Sequence, residues 1–184
     1  MSQMPKRSPT RLPTRLVLAA ASLAILNACA RSEPPEGPAP TSLAKADPAI
    51  ASLQPTAKGV RLTLRIAEPD VAGDTIRLTA RAARQIARAV QAGARDLPPG
   101  ATVITLDLAG TDVDKFGKRS FGPILETDFD VASLRGLDLK AAGPAAVLNT
   151  AIDLRLEPAG EAGVAAWCMR YPHAGSNFCE MAGF

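Results

Sequence analysis

Three carboxylates that alternate along a short segment are the first candidates for chemistry. Glu126, Asp128 and Asp130 would project from one face of a strand. Two carboxylates about 5–9 Å apart can hydrolyse glycosides by acid–base catalysis. The whole chain has only one Trp, one Tyr and five Phe, so few aromatic side chains are available to line a sugar-binding cleft. We therefore rank a hydrolase below cross-strand pairing of these carboxylates with Arg61 and Arg65.

Two cysteines near the C-terminus, Cys168 and Cys179, form the second candidate group. In an oxidising compartment a disulfide is the expected state of such a pair, and it would contribute roughly 2–3 kcal/mol. The alternative is a metal site that includes His173. The spacing Cys-x4-His-x5-Cys differs from common zinc patterns and lacks an evident fourth ligand, so we predict the disulfide and no metal.

Two further patterns carry weaker chemical signals. Residues 112–117 resemble the start of a calcium loop, but Phe116 occupies a ligand position and Pro123 replaces the closing Glu, so we predict a hairpin turn. His173 is the only histidine, and no glycine-rich phosphate loop is present. No nucleophile stands out, and we predict a protein that is not an enzyme and needs no cofactor.

Five arginines lie on one side of a helix predicted over residues 75–95. At 100° per residue they fall within about 60° of one another, and no acidic residue in the helix offsets them. One interpretation is contact with lipid headgroups, lipopolysaccharide phosphates or an acidic partner. The alternative is a solvated face, because the side opposite the apolar stripe must be polar anyway. The five are Arg77, Arg81, Arg84, Arg88 and Arg95.

The N-terminus has the form of an export signal. Four cations precede the apolar run 16–26, which at 11 residues is shorter than the roughly 20 that span a bilayer. The segment Leu26-Asn27-Ala28-Cys29 follows, and it resembles the lipobox of bacterial lipoproteins. The alternative is an ordinary secretory signal with a chance cysteine beside the cleavage site.

The lipobox resemblance implies a lipid anchor. Residues 1–28 would be removed as a signal peptide, and Cys29 would be diacylated and would hold the protein on a membrane. The next residue, Ala30, is not Asp, and by the same resemblance this implies the outer membrane, with the protein facing the periplasm.

Removal of the signal changes the charge of the chain. It takes four of the 21 cations and none of the 18 acids, which leaves a formal charge of −1. The basic charge of the precursor therefore gives no support for binding nucleic acid, which needs a basic surface on the mature domain.

Residues 29–58 have the composition of a disordered tether. They lack apolar periodicity, and an extended proline-rich segment of this length would reach up to about 90 Å. Their prolines are Pro34, Pro35, Pro38, Pro40, Pro48 and Pro55. The folded domain is predicted over residues 59–184, a normal size for a single domain.

Hydrophobic periodicity within residues 59–184 predicts an α+β fold in the order β-α-β-β-α-β. Val60, Leu62, Leu64 and Ile66 alternate with polar residues, as in a half-buried strand. A stripe made mostly of alanine marks one side of the first helix. The predicted strands are 60–66, 102–109, 124–131 and 163–171, and the predicted helices are 75–95 and 143–156. We expect both helices on one face of a mostly antiparallel sheet.

These patterns favour a non-catalytic envelope lipoprotein that acts as a binding or accessory module of an envelope assembly. Its expected partners are the membrane, through the anchor, and an envelope protein. The alternative is a domain that binds an anionic ligand, lipopolysaccharide or the cell wall, and an envelope hydrolase ranks last. A lipid-anchored α+β domain on a tether would fit an accessory subunit of an envelope machine. This is an analogy of architecture and does not rest on particular residues.

Overall fold

Five strands and five α-helices account for most of the chain that the structure describes. The computed structural model describes residues 37–66, 74–113, 118–171 and 176–184. The strands are β1 (Ile50–Pro55), β2 (Gly59–Ile66), β3 (Val103–Val113), β4 (Arg119–Asp130) and β5 (Ala151–Leu156). The helices are α1 (Asp74–Gln91), α2 (Val131–Gly136), α3 (Pro144–Leu148), α4 (Pro158–Arg170) and α5 (Ser176–Met181), and a 3₁₀ turn covers Leu43–Lys45.

The strands form one mixed sheet in the order β1-β2-β3-β4-β5. Strands β2 and β3 are parallel and are connected through α1, whereas the other three neighbouring pairs are antiparallel. The side chains that the helices bury belong to the same core cluster as one face of the sheet. The prediction of an α+β fold with a mostly antiparallel sheet is therefore confirmed.

The central strands β2 and β3 bury their alternating residues as predicted. Leu62 lies beside Leu106 and Leu64 beside Leu108 in the parallel register, and all four side chains are buried. Because successive side chains of a strand point to opposite faces, the residues between them form the second, polar face of the sheet.

Helix α1 covers the apolar face of the sheet with its alanine stripe. Ile76, Ala80, Ala83 and Ala87 are all buried. Alanine has the highest helix propensity, and its short side chain lets the helix axis come close to the strands beneath it. The predicted stripe is therefore confirmed.

The helix ends at Gln91, four residues before the predicted end at Arg95. Gly93 has φ +73°, and its N–H donates to the carbonyl of Val90 while the N–H of Ala94 donates to that of Ala89. This is a Schellman termination, in which glycine adopts the left-handed conformation without a Cβ penalty. Gly93 therefore ends the helix before Pro98 and Pro99 are reached.

The predicted tether 29–58 is wrong from residue 38 onward, because that part of the segment belongs to the fold. Leu43 on the 3₁₀ turn is 0% exposed, and β1 pairs with β2. An edge strand draws its order from the backbone ladder with its neighbour and needs no apolar alternation of its own. The sequence pattern of residues 50–55 therefore gave no sign of a strand.

The C-terminal third differs from the prediction in two elements. The helix predicted over 143–156 ends at Leu148, and residues 151–156 form β5 along β4. Ile152, which lies within that predicted helix, is 56% exposed. Apolar residues at 148, 152 and 156 fit a helical period, while Ile152, Leu154 and Leu156 also alternate as in a strand. Pairing with β4 decides between the two.

Residues 163–171, predicted to be a strand, lie mostly in helix α4. Val164, Trp167 and Cys168 are buried at helical spacing. Cys168 and Cys179 form the predicted disulfide, with their Cα atoms 5.8 Å apart, so the bond joins α4 to α5 rather than the tail to a strand.

Strand β4 also differs at both ends. It begins at Arg119 rather than at residue 124, and it ends at Asp130, where the short and unpredicted helix α2 begins. The hairpin turn predicted within residues 112–117 agrees with the pairing of Val113 with Arg119, which leaves residues 112 and 113 in β3, but residues 114–117 lie outside the described ranges.

Leu43→Ala tests whether the N-terminal segment belongs to the domain. We expect a loss of about 2–5 kcal/mol in the free energy of unfolding, because the substitution leaves a cavity in the core. The measurement is chemical denaturation, with Lys45→Ala on the same exposed turn as the control, for which we expect a change within about 0.5 kcal/mol. Equal stabilities of the two variants would indicate that residues 38–45 belong to the tether and not to the folded domain.

Candidate functional site

The face of the sheet opposite the helices forms a charged surface, here called the open sheet face. Its residues alternate with the buried side chains of β2 to β5 and are mostly half-buried or exposed. Cross-strand register places Asp107 beside Glu126, and Glu126 beside Arg155. The charged members are Arg61, Arg65, Asp107, Glu126, Asp128, Asp153 and Arg155.

Arg61 is the centre of an ion-pair network on this face. Its Nη1 donates to Asp107 on β3 at 3.0 Å and also to Glu126 on β4. Hydrogen bonds from Arg61 to Asp107 and Glu126 raise the pKa of the guanidinium above its ordinary value. The sequence predicted pairing between Arg61 and this carboxylate row on neighbouring strands, but the arginine reaches Glu126 across the intervening strand β3.

Arg155 extends the network to the edge strand. It donates to Glu126 at 2.5 Å and to Asp153 at 3.2 Å. The sequence analysis missed both residues of β5 because it assigned the segment to a helix. The signal that identifies them is the alternation of Ile152, Leu154 and Leu156 with Asp153 and Arg155.

The other two carboxylates of the predicted row have separate structural roles. Asp128 accepts a hydrogen bond from the Thr105 hydroxyl at 2.6 Å. Asp130 is the N-cap of α2 and accepts from the backbone N–H of Ser133 at 2.7 Å and from its hydroxyl at 2.9 Å. These hydrogen bonds lower the pKa of Asp130. The three carboxylates therefore have three different sets of hydrogen-bond partners.

Arg65 interacts with an aromatic ring rather than with a carboxylate. Its guanidinium lies 5.7 Å from the ring centroid of Phe121, at the end of the open sheet face near the β3–β4 hairpin. Phe121 is 53% exposed. A guanidinium over an exposed ring is an amphipathic contact surface of the kind found at protein interfaces.

The five predicted arginines form a second surface, here called the arginine face. Four of them lie on α1 and Arg95 lies just beyond its end. Arg81 pairs at 3.2 Å with Asp47, whose side chain is 3% exposed, Arg84 donates to the carbonyl of Ala142, and Arg88 donates to Gln85 at 2.9 Å. The expectation that no acid offsets the stripe is wrong, since Asp47 comes from the segment assigned to the tether and α1 itself begins with the acid Asp74.

Asp96 holds the N-terminal segment against the end of α1. It accepts from the backbone N–H groups of Leu43 and Ala44 at 2.7 and 3.0 Å and from the Ser42 hydroxyl at 2.7 Å. Burial raises the pKa of this carboxyl, but the hydrogen bonds from Ala44, Leu43 and Ser42 outweigh it and the pKa is lowered. The N–H of Arg95 adds a hydrogen bond to the carbonyl of Thr41.

A groove of about 580 Å³ lies at the C-terminal end of α1. Its lining is about equally polar and apolar: Val90, Ala94, Leu97 and the two prolines that follow are the apolar side chains, and Gln91 and Arg135 are the polar ones. The Gln91 amide already donates to the carbonyls of Leu134 and Leu137. Small-molecule sites combine an apolar pocket with converging polar groups, which this groove lacks.

Several predicted features lie outside the described residues. They include the signal peptide, Cys29, His173 and most of the calcium-like segment 112–117. Among the described residues, no group of three His, Cys, Asp or Glu side chains could hold a metal ion. In that same part of the chain, no helix has both the length and the apolar character needed to cross a membrane.

Comparison of the chain with protein-family models, with curated proteins and with solved structures gave no match.

Glu126→Gln and Asp128→Asn should separate the ion-pair network from the single hydrogen bond. We expect Glu126→Gln to cost about 1 kcal/mol of unfolding free energy, because it weakens two ion pairs with guanidinium groups. Asp128→Asn keeps an oxygen acceptor for Thr105 and should change stability by less than about 0.5 kcal/mol. Chemical denaturation measures both. A folded Asp128→Asn protein that has lost a cellular function would contradict the structural role assigned to this carboxylate.

Proposed function

We propose that this protein is a non-catalytic, lipid-anchored envelope lipoprotein that acts as a binding or accessory module. The observation that carries the proposal is the open sheet face, where Arg61 and Arg155 tie three carboxylates into one network. A polar surface whose groups hold one another in place is preorganised for binding, because little side-chain freedom remains to be lost on association.

The chemistry of the open sheet face favours a protein partner. It carries both signs of charge, and the exposed Phe121 ring lies at one end under Arg65. Interfaces between proteins that associate reversibly are about as polar as the rest of the protein surface, and they are enriched in aromatic residues and arginine. A surface for an anionic polymer alone would be expected to carry cations in excess.

The same contacts argue against the hydrolase that the carboxylate row suggested. Glu126 accepts hydrogen bonds from two guanidinium groups, and Asp128 accepts from Thr105. A general acid or base must be free to exchange a proton with substrate or water. The alternative of binding a small anionic ligand is second, because the groove beside the arginine face lacks the converging polar groups of a small-molecule site.

The proposed location is the outer membrane, with the domain in the periplasm. It rests on the segment Leu26-Asn27-Ala28-Cys29 and on Ala30 as the following residue. The disulfide between Cys168 and Cys179 agrees with an oxidising compartment such as the periplasm.

Cys29→Ser tests the anchor. We expect the variant to leave the membrane fraction for the soluble periplasm, or to accumulate with its signal uncleaved, because serine cannot receive the thioether-linked lipid. The measurement is cell fractionation combined with intact mass of the wild-type and variant proteins. Unchanged membrane attachment of a protein with an unmodified residue 29 would refute the lipoprotein assignment.

Site-specific photo-cross-linking in cells tests the binding face. A photoreactive residue at Thr63 on the open sheet face should capture one dominant envelope protein, whereas the same residue at the exposed Glu161 of α4 should not. Phe121→Ala should reduce the Thr63 adduct by about fivefold or more, because truncating an interface anchor costs more than 1 kcal/mol of binding. Equal adducts from both positions, or no effect of Phe121→Ala on a folded protein, would contradict this assignment.

A further inference from the structure

The chain enters the fold against the C-terminal end of α1. The carbonyl of Thr41 accepts from the N–H of Arg95, and Asp96 binds the three residues that follow Thr41. Asp47 then pairs with Arg81. The segment that leads back to Cys29 therefore starts beside the arginine face and not beside the open sheet face.

The length of chain between Cys29 and this entry point is short. Eleven residues separate Cys29 from Thr41. Even fully extended they span only about 40 Å, less than half the reach expected from a tether that ended at residue 58. Helix α1 is about 27 Å long at 1.5 Å per residue. An acyl chain on Cys29 would therefore keep the whole arginine face within reach of the membrane surface.

The arginine face has the charge that an anionic lipid surface requires. Its five arginines are joined by the exposed Lys45 on the 3₁₀ turn that packs against α1. Among the nearby carboxylates, Asp47 pairs with Arg81, Asp96 binds the N-terminal segment, and Asp74 begins α1, so the six cations outnumber these three acids. Each cation attracts an anionic bilayer only weakly, but the attractions of several cations add up when an anchor holds them near the membrane.

The side chains of the arginine face favour contact with a membrane over contact with a protein. In the described part of the chain, the exposed large hydrophobic residues are Phe121, Ile152, Met169 and Phe184, and none of them lies on α1. A protein interface would be expected to contain such an anchor residue. Lipid phosphates need cations and hydrogen-bond donors alone, which arginine supplies.

The two surfaces lie on opposite sides of the domain. The alanine stripe of α1 is buried on the apolar face of the sheet, so the arginines on the other side of α1 point away from the strands. The open sheet face is the reverse side of the same sheet. A membrane that contacts the arginine face would leave the open sheet face directed into the periplasm.

We propose that the arginine face lies on the anionic phospholipid headgroups of the membrane that holds the Cys29 anchor, and that it thereby orients the open sheet face toward a periplasmic partner. This inference rests on the lipidation in the proposed function. The lipid chemistry is that of phosphatidylglycerol, an anionic phospholipid with a single phosphate.

Arginine-selective footprinting of the full lipidated protein tests the orientation. The protein is reconstituted in vesicles of phosphatidylethanolamine, with or without about one third phosphatidylglycerol, and treated with p-hydroxyphenylglyoxal before peptide mass spectrometry. We expect phosphatidylglycerol to slow the modification of Arg77, Arg88 and Arg95 by about threefold or more, and about 0.5 M salt to reverse the effect. Arg119 and Arg155 should react equally in both vesicles.

A matched pair of charge reversals supplies the control. The double variant Arg77→Glu with Arg88→Glu should abolish the phosphatidylglycerol-dependent protection of Arg95. Arg119→Glu with Arg170→Glu, which changes the charge equally at exposed positions on β4 and α4, should leave that protection intact. Both variants should remain attached to the vesicles through Cys29.

The outcomes separate this inference from the proposed function. A protein whose mass shows lipid on Cys29, but whose α1 arginines react equally in both vesicles, would overturn the orientation and leave the lipoprotein assignment standing. Absence of lipid on Cys29 would overturn both. Protection in native outer membranes but not in phosphatidylglycerol vesicles would assign the arginine face to lipopolysaccharide or to a protein, and would also overturn the inference.

Discussion

The close packing of α1 on the parallel strands β2 and β3 is the constraint on which the rest of the structure depends. Half of the buried residues of the helix are alanine, while the strands beneath it contribute leucine and isoleucine. Small residues on one partner and large residues on the other fill the space between a helix and a sheet without cavities. The crossover also explains why one parallel pair occurs in an otherwise antiparallel sheet, since parallel neighbours need a long connection.

This packing creates two polar surfaces that face in opposite directions. The polar residues of α1 must lie away from the sheet, and the polar residues of β2 to β5 must lie away from α1. The two surfaces differ in their electrostatics. Arg61 and Arg155 neutralise carboxylates on the open sheet face, whereas the arginine face has more cations than acids. In the two proposals, a protein partner and an anionic membrane would therefore contact different sides of one domain.

The N-terminal segment links these surfaces to the proposed anchor. Asp96, beyond the end of α1, binds this segment through hydrogen bonds, and Asp47 of the segment pairs with Arg81 on α1. Strand β1 then adds to the edge of the sheet. The hydrogen bonds to Asp96 are formed by backbone N–H groups, which every non-proline residue carries. Composition alone cannot reveal such contacts, and a proline-rich segment with few apolar residues consequently looked like a tether.

The sequence by itself determined the elements whose apolar period is unambiguous and long. These are the alternating strand β2, the matching part of β3, and the alanine stripe of α1, together with the cysteine pair that forms the disulfide. Only the tertiary structure decided the elements near the edges. The apolar residues of 151–156 fit both a helical and a strand period, and hydrogen bonding to the backbone of β4 makes this segment a strand. Strand β1 has no apolar pattern of its own. The candidate site divides in the same way: the arginine face follows from helical spacing, whereas the contact of Arg61 with Glu126 requires the order of three strands, which local spacing does not contain.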